Sequence, residues 1–134
     1  MTPEKYFWQL HSLIVTLDII QDFQIRDELI TEDVGYIRIR LNLINGDVAE
    51  MFEYVVREDD RLKTINYSFH IQNAKGTLLK RWDNAPHHRS LSNFPHHCHD
   101  GKSGKVFSTR AMTGKFFLRE LEKFYTKLND HNTN

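Results

Sequence analysis

A chain of 134 residues has the length of one domain, and 40% hydrophobic residues, with nine Phe, five Tyr and two Trp, supply enough apolar surface for one core. The 18 basic and 18 acidic side chains cancel, so bulk charge gives no argument for nucleic acid or membrane, and any affinity for a polyanion has to be local. A lone cysteine, Cys98, excludes an intrachain disulfide framework and fits a reducing compartment.

Thr2-Pro3-Glu4 reads as a helix start, with Thr as N-cap and Pro at the first helical position. Tyr6, Phe7, Leu10, Leu13, Ile14 and Leu17 follow at helical spacing, which predicts an amphipathic helix ending near Leu17. The same segment lacks a long apolar run and a small-residue cleavage site. No stretch of the chain approaches the roughly 18–20 apolar residues that span a bilayer. The expectation is a soluble cytoplasmic protein.

Strand signals come next. Gln21–Ile30 is the weakest, because Phe23, Ile25 and Ile30 do not keep one parity. Tyr36–Leu43 is the clearest: Ile37, Ile39, Leu41 and Leu43 take one face, and Tyr36, Arg38, Arg40 and Asn42 the other. Asn45-Gly46 is a strong hairpin signal, since both residues tolerate positive φ. Val48–Val56 pairs back, and Glu58-Asp59-Asp60 makes a polar turn. Leu62–Ile71 places Ile65, Tyr67, Phe69 and Ile71 opposite Thr64, Asn66, Ser68 and His70. Asn73–Gly76 turns the chain into Thr77–Asp83, where Leu79, Arg81 and Asp83 share a parity. A second amphipathic helix is predicted over Thr113–Leu128, followed by a frayed tail from Asn129 to Asn134. Short turns between strands make an antiparallel meander. The fold class expected is α+β: one domain over residues 1–134, with about five strands and a helix from each end packed on the apolar face.

The segment Arg81–Asp100, RWDNAPHHRSLSNFPHHCHD, carries the chemistry. Five of the eight histidines lie in it, His87, His88, His96, His97 and His99, in two Pro-His-His triplets and one single. Histidine serves proton transfer, pH sensing and metal binding. A zinc reading takes His97 and His99 on one side of an extended chain, with His87 or His88 as third ligand; the set His88, His97, His99 is the alternative metal site, for zinc or another divalent ion. The spacing matches no helical zinc motif, and one cysteine leaves no Cys-rich site.

The competing reading needs no cofactor. RNA cleavage through the 2′-hydroxyl requires a base, an acid and a cation beside the phosphorane. His87, His88, His96, His97 and His99 offer acid and base, and Asp83 orients a tautomer. Arg38, Arg40, Arg81, His70 and Asn66 on the polar face bind the substrate, and Tyr36, Trp82 and Phe94 are rings on which bases can stack. Against both stands a solvated loop, with Arg38, Arg40 and Glu53 as an exposed cross-strand ladder. Histidines on both sides of Cys98 can lower its thiol pKa, but sequence neighbours seldom have the geometry of a nucleophilic Cys–His pair. His11 in the first helix and His131 in the tail read as structural or solvated.

The residues Gly76-Thr77-Leu78-Leu79-Lys80-Arg81-Trp82-Asp83-Asn84-Ala85-Pro86-His87-His88 and Asn93-Phe94-Pro95-His96-His97-Cys98-His99 resemble the TumE-type toxin family of prokaryotic toxin–antitoxin systems. The segments Gly35–Leu41 and Glu53-Tyr54-Val55 fit the same resemblance, which covers roughly residues 4 to 125. Trp82 stands where an aromatic, often Tyr, is usual, and the stretch 100–105 is a Gly/Lys insertion that departs from the pattern. The resemblance implies a small cytoplasmic toxin with a cognate antitoxin, often bearing a helix-turn-helix domain. By analogy with other small toxins it implies RNA as target and metal-independent ribonuclease activity. The alternative is a non-catalytic module whose His-rich segment binds a protein or a metal.

Overall fold

Among the described residues seven strands, against the expected five or so, form one antiparallel sheet whose spatial order follows the chain. The computed structural model describes the backbone of residues 1–132 and the side chains of residues 1–127. The elements are α1 (Pro3–Thr16), β1 (Ile20–Ile30), β2 (Val34–Leu43), β3 (Val48–Glu58), β4 (Arg61–Gln72), β5 (Leu78–Asp83), β6 (His97–Asp100), β7 (Val106–Ser108) and α2 (Gly114–Asn132). The α+β meander with a helix from each end is as expected. The two further strands lie where the sequence reads as loop. The four residues of β6, His-Cys-His-Asp, have no strand propensity of their own, and pairing with β5 makes them a strand.

Thr2 caps α1 by accepting from Lys5 N–H, and Phe7, Leu10 and Ile14 turn onto the sheet. The weak periodicity of β1 has a local cause. A register shift between Ile25 and Asp27 moves the inward parity, so Phe23 and Ile25 face Leu41 and Ile39, whereas Glu28 faces Ile37. A second shift beside Tyr54 leaves Ile65 unpaired and exposed, although its parity had placed it with Tyr67 and Phe69. Helix α2 runs to Asn132, so the expected tail is helical over residues 129–132. The rest of that tail, and the side chain of His131, lie outside the described residues. No helix among the described residues is long and apolar enough to cross a membrane.

Both helices cover one face of the sheet. Phe117 of α2 stacks on Phe69 at 5.0 Å, and Trp82 meets Phe117 edge-on at 5.8 Å. Trp82 is therefore core, not a platform for bases. Glu53 also faces the helices, 1% exposed, and is no part of an exposed ladder with Arg38 and Arg40. Its carboxylate accepts from Tyr6 Oη at 2.7 Å, Thr64 Oγ1 at 2.7 Å and Gly114 N at 2.9 Å. One buried acid thus joins α1, β4 and the first turn of α2.

The face away from the helices is polar. Register aligns Arg38, Phe52, Ser68, Asp83 and His97 in one row across β2 to β6, and Arg40, Glu50, His70, Arg81 and His99 in the next. The β5–β6 pairing depends on Gly101, whose N–H bonds Leu79 O at 2.9 Å. A Cβ there would lie 1.8 Å from the Leu78 carbonyl oxygen, a clash with backbone that no side-chain rotation relieves. The stretch 100–105 is the turn into β7, tied by Asp100 N to Lys105 O at 2.9 Å and by Ser103 Oγ to Asp100 Oδ2 at 2.6 Å.

Candidate active site

Asp83 ends β5 on the polar face, and its neighbours follow from register. It pairs with Ser68 on one side and His97 on the other, and Arg81 pairs with His99. Asp83 Oδ1 lies 3.0 Å from His97 Nε2, and Oδ2 lies 3.6 Å from His99 Nε2 and 3.2 Å from Arg81 Nε. Ala85 N–H donates to Oδ1 at 3.0 Å, which turns the chain out of the strand. Asn84 extends the edge of β4 as a backbone would: its Oδ1 accepts from Tyr67 N at 3.0 Å and its Nδ2 donates to Ile65 O at 2.7 Å.

Residues 84–96 then fold back over the polar face. His88 adopts φ 60°, a left-handed conformation more open to His than to most residues. Its ring lies 5.1 Å from that of His97 and 5.6 Å from that of His99, and the last two rings are 4.9 Å apart. The pairs are edge-on, with interplanar angles of 63°, 72° and 74°. One ligand atom from each ring lies within 4.8 Å of the others. The far end of the segment is pinned by Asn93 Nδ2 to Thr109 O at 2.6 Å and Ser92 Oγ to Ser108 Oγ at 3.0 Å. His97 is 1% exposed, and its Nδ1 lies 2.8 Å from Pro95 O. A carbonyl only accepts, so Nδ1 carries the proton and Nε2 points at Asp83.

Beside this cluster an open pocket of about 400 Å³ is lined by Arg81, Asp83, His87 and His99, together with Asn66, Tyr67, Ser68, Asn84 and Phe52. Burial first, and the Arg81 cation second, hold His99 below the usual imidazole range, with Asp83 opposing. Further along the same face Tyr36 stacks on Tyr54 at 6.4 Å, and the Arg38 guanidinium sits 4.7 Å over the Phe52 ring. Tyr36 thus lies on the polar face as expected of a stacking ring, and Phe94 is 40% exposed outside the pocket.

Five histidines do not make one site. His88, His97 and His99 converge, and His87 faces the pocket. His96 takes the opposite side, where its Nδ1 meets Tyr67 Oη at 2.7 Å and its ring stacks on that tyrosine; burial lowers its pKa, with His97 adding to the shift. His70 bonds Gln72 Oε1 at 2.9 Å and does not line the pocket. Asn66 does; Arg38 and Arg40, on β2, do not line it, although Arg38 sits over the lining residue Phe52. Cys98 points into the core between the two histidines, and burial pushes its thiol up to about 11, so the flanking histidines do not activate it. Phe52, Ser68, Asn84 and the Pro95 carbonyl were missed from sequence. The strand parity of Ser68 was a usable signal, whereas Asn84 read only as a turn residue.

The family model described as Toxin TumE matches residues 10–130. No curated protein and no solved structure matches the chain.

Proposed function

The chain belongs to the TumE toxin family, the toxins of toxin–antitoxin systems, and from that premise we propose that it acts on RNA in the cytoplasm as a small histidine-dependent ribonuclease. Its cognate antitoxin carries a helix-turn-helix domain. The observation that carries the reading is one open pocket that Arg81, His87 and His99 line together with Asp83. Cleavage through the 2′-hydroxyl needs a proton acceptor at the attacking oxygen, a cation on the phosphorane and a proton donor to the departing 5′-oxygen. The His99 side of the pocket takes the first proton, Arg81 neutralises the phosphorane, and His87 protonates the leaving group. Asp83 positions His97 and His99. The products are a 2′,3′-cyclic phosphate and a 5′-hydroxyl.

The neutral bulk charge leaves affinity to local contacts, and the polar face supports them. Arg38 over Phe52, with the Tyr36–Tyr54 pair, offers a guanidinium and ring faces on the approach to the pocket, as proteins that hold single-stranded RNA use them. Purified protein should cleave single-stranded or structured RNA, and His99→Ala and Arg81→Ala should each lose roughly 100-fold or more. An intact RNA ladder, or cleavage by the variants at the parent rate, contradicts the reading.

A further inference from the structure

We infer that His88, His97 and His99, with Asp83 beside them, form a binding site for a divalent transition-metal ion of the zinc class. The inference rests on the reaction site proposed above for what the ion does there, but its geometry is independent of the substrate.

The three rings converge edge-on, and their ligand atoms lie within 4.8 Å of one another. The Pro95 carbonyl holds the Nδ1 proton of His97, the outer hydrogen bond that commonly fixes a ligating imidazole and turns its other nitrogen inward. That inward Nε2 bears a lone pair in the neutral ring, and it faces Asp83 Oδ1 at 3.0 Å. The opposed Nε2 and carboxylate, at 1% and 7% exposure, need a positive charge between or beside them, which a second ring proton or a bound metal ion supplies. His97 Nε2 lies 3.0 Å from Asp83 Oδ1 and His99 Nε2 3.6 Å from Oδ2, so the carboxylate borders the cluster with one oxygen toward each ring.

Imidazole and carboxylate without thiolate suit zinc and its neighbours rather than magnesium or calcium, and Cys98 is on the other face. His99 also lines the pocket, so an ion here stands at its wall. A water bound to such an ion loses its proton near neutrality, and the resulting hydroxide is the base that the His99 side provides.

Untagged protein stripped with EDTA should be titrated with zinc against a chromophoric chelator. One equivalent should bind. His88→Ala, at an exposed position where folding is least at risk, and His97→Ala should weaken binding at least 100-fold. His96→Ala, in the same segment but off the cluster, should bind as the parent does, and excess magnesium should not displace zinc. No stoichiometric zinc, or unchanged affinity in His88→Ala, overturns the site. Zinc bound without RNA cleavage overturns only the ribonuclease reading. Cleavage at full rate by protein that binds no zinc overturns only the metal site.

Discussion

Asp83→Asn should lower RNA cleavage by roughly 100-fold or more while leaving the chain folded. The substitution keeps the size of the side chain and an oxygen for Ala85 N–H, so the turn out of β5 survives. What it removes is charge, at the point where His97, His99 and Arg81 meet within 3.0 to 3.6 Å. An amide keeps an acceptor oxygen but has no charge to balance the Arg81 guanidinium, whose Nε lies 3.2 Å from Oδ2, or a cation at the imidazoles. Zinc affinity should fall about 10–100-fold in the same variant, as it does when partners around a metal ligand are changed. A variant that merely misfolds would lose its circular-dichroism signal and its cooperative melt. Asp83→Asn should keep both. Full activity in the folded variant would remove Asp83 from the site.

Glu53 carries the largest expected effect on stability. Glu53→Ala should destabilise the fold by about 3 kcal/mol, because it strands the Tyr6 hydroxyl, the Thr64 hydroxyl and the Gly114 N–H at 1–3 kcal/mol each, with some relief from rearrangement. Glu53→Gln keeps the shape and every partner and should stay within about 1 kcal/mol of the parent at neutral pH. Burial raises the Glu53 pKa above the ordinary carboxylate value, outweighing the three hydrogen bonds that lower it. The folded state therefore binds the Glu53 proton more tightly than the unfolded state does. Its contribution to stability is fully present below the unfolded carboxylate pKa and is lost as pH rises through the folded one. Urea midpoints taken from acid to neutral pH should show that decline in the parent and its absence in Glu53→Gln. Equal midpoints for the parent and Glu53→Ala would contradict the account of Glu53 as the joint between helices and sheet.

Period and turn chemistry made much of the fold legible. Helix α1 announced itself by Thr2-Pro3, and β2 by strict alternation from Tyr36 to Leu43. Two of the misreadings trace to bulges. The shift near Arg26 blurred β1, and the one beside Tyr54 turned Ile65 outward. Strand β6 was hidden because its residues are chosen for chemistry and paired by β5.

In the site, parity carried further than motif. Arg81 and Asp83 share a face, so Trp82 between them had to be core. His97 and His99 share a face, so Cys98 and His96 had to take the other, and they do. Convergence of His88 could not be read, since it depends on a left-handed backbone and on a loop pinned at Thr109 and Ser108. The role of the Pro95 carbonyl was equally hidden, because a main-chain acceptor leaves no trace in residue type.

On the proposed function, toxicity comes from RNA cleavage at the Arg81–His87–His99 pocket. The most direct test expresses the chain and its His99→Ala variant under a tight promoter, and follows growth together with the 3′ ends of cellular RNA. The account predicts that the parent arrests growth as new 2′,3′-cyclic phosphate ends appear, and that the variant, at equal protein level, does neither. Growth arrest with intact RNA, or equal arrest by His99→Ala, would contradict it.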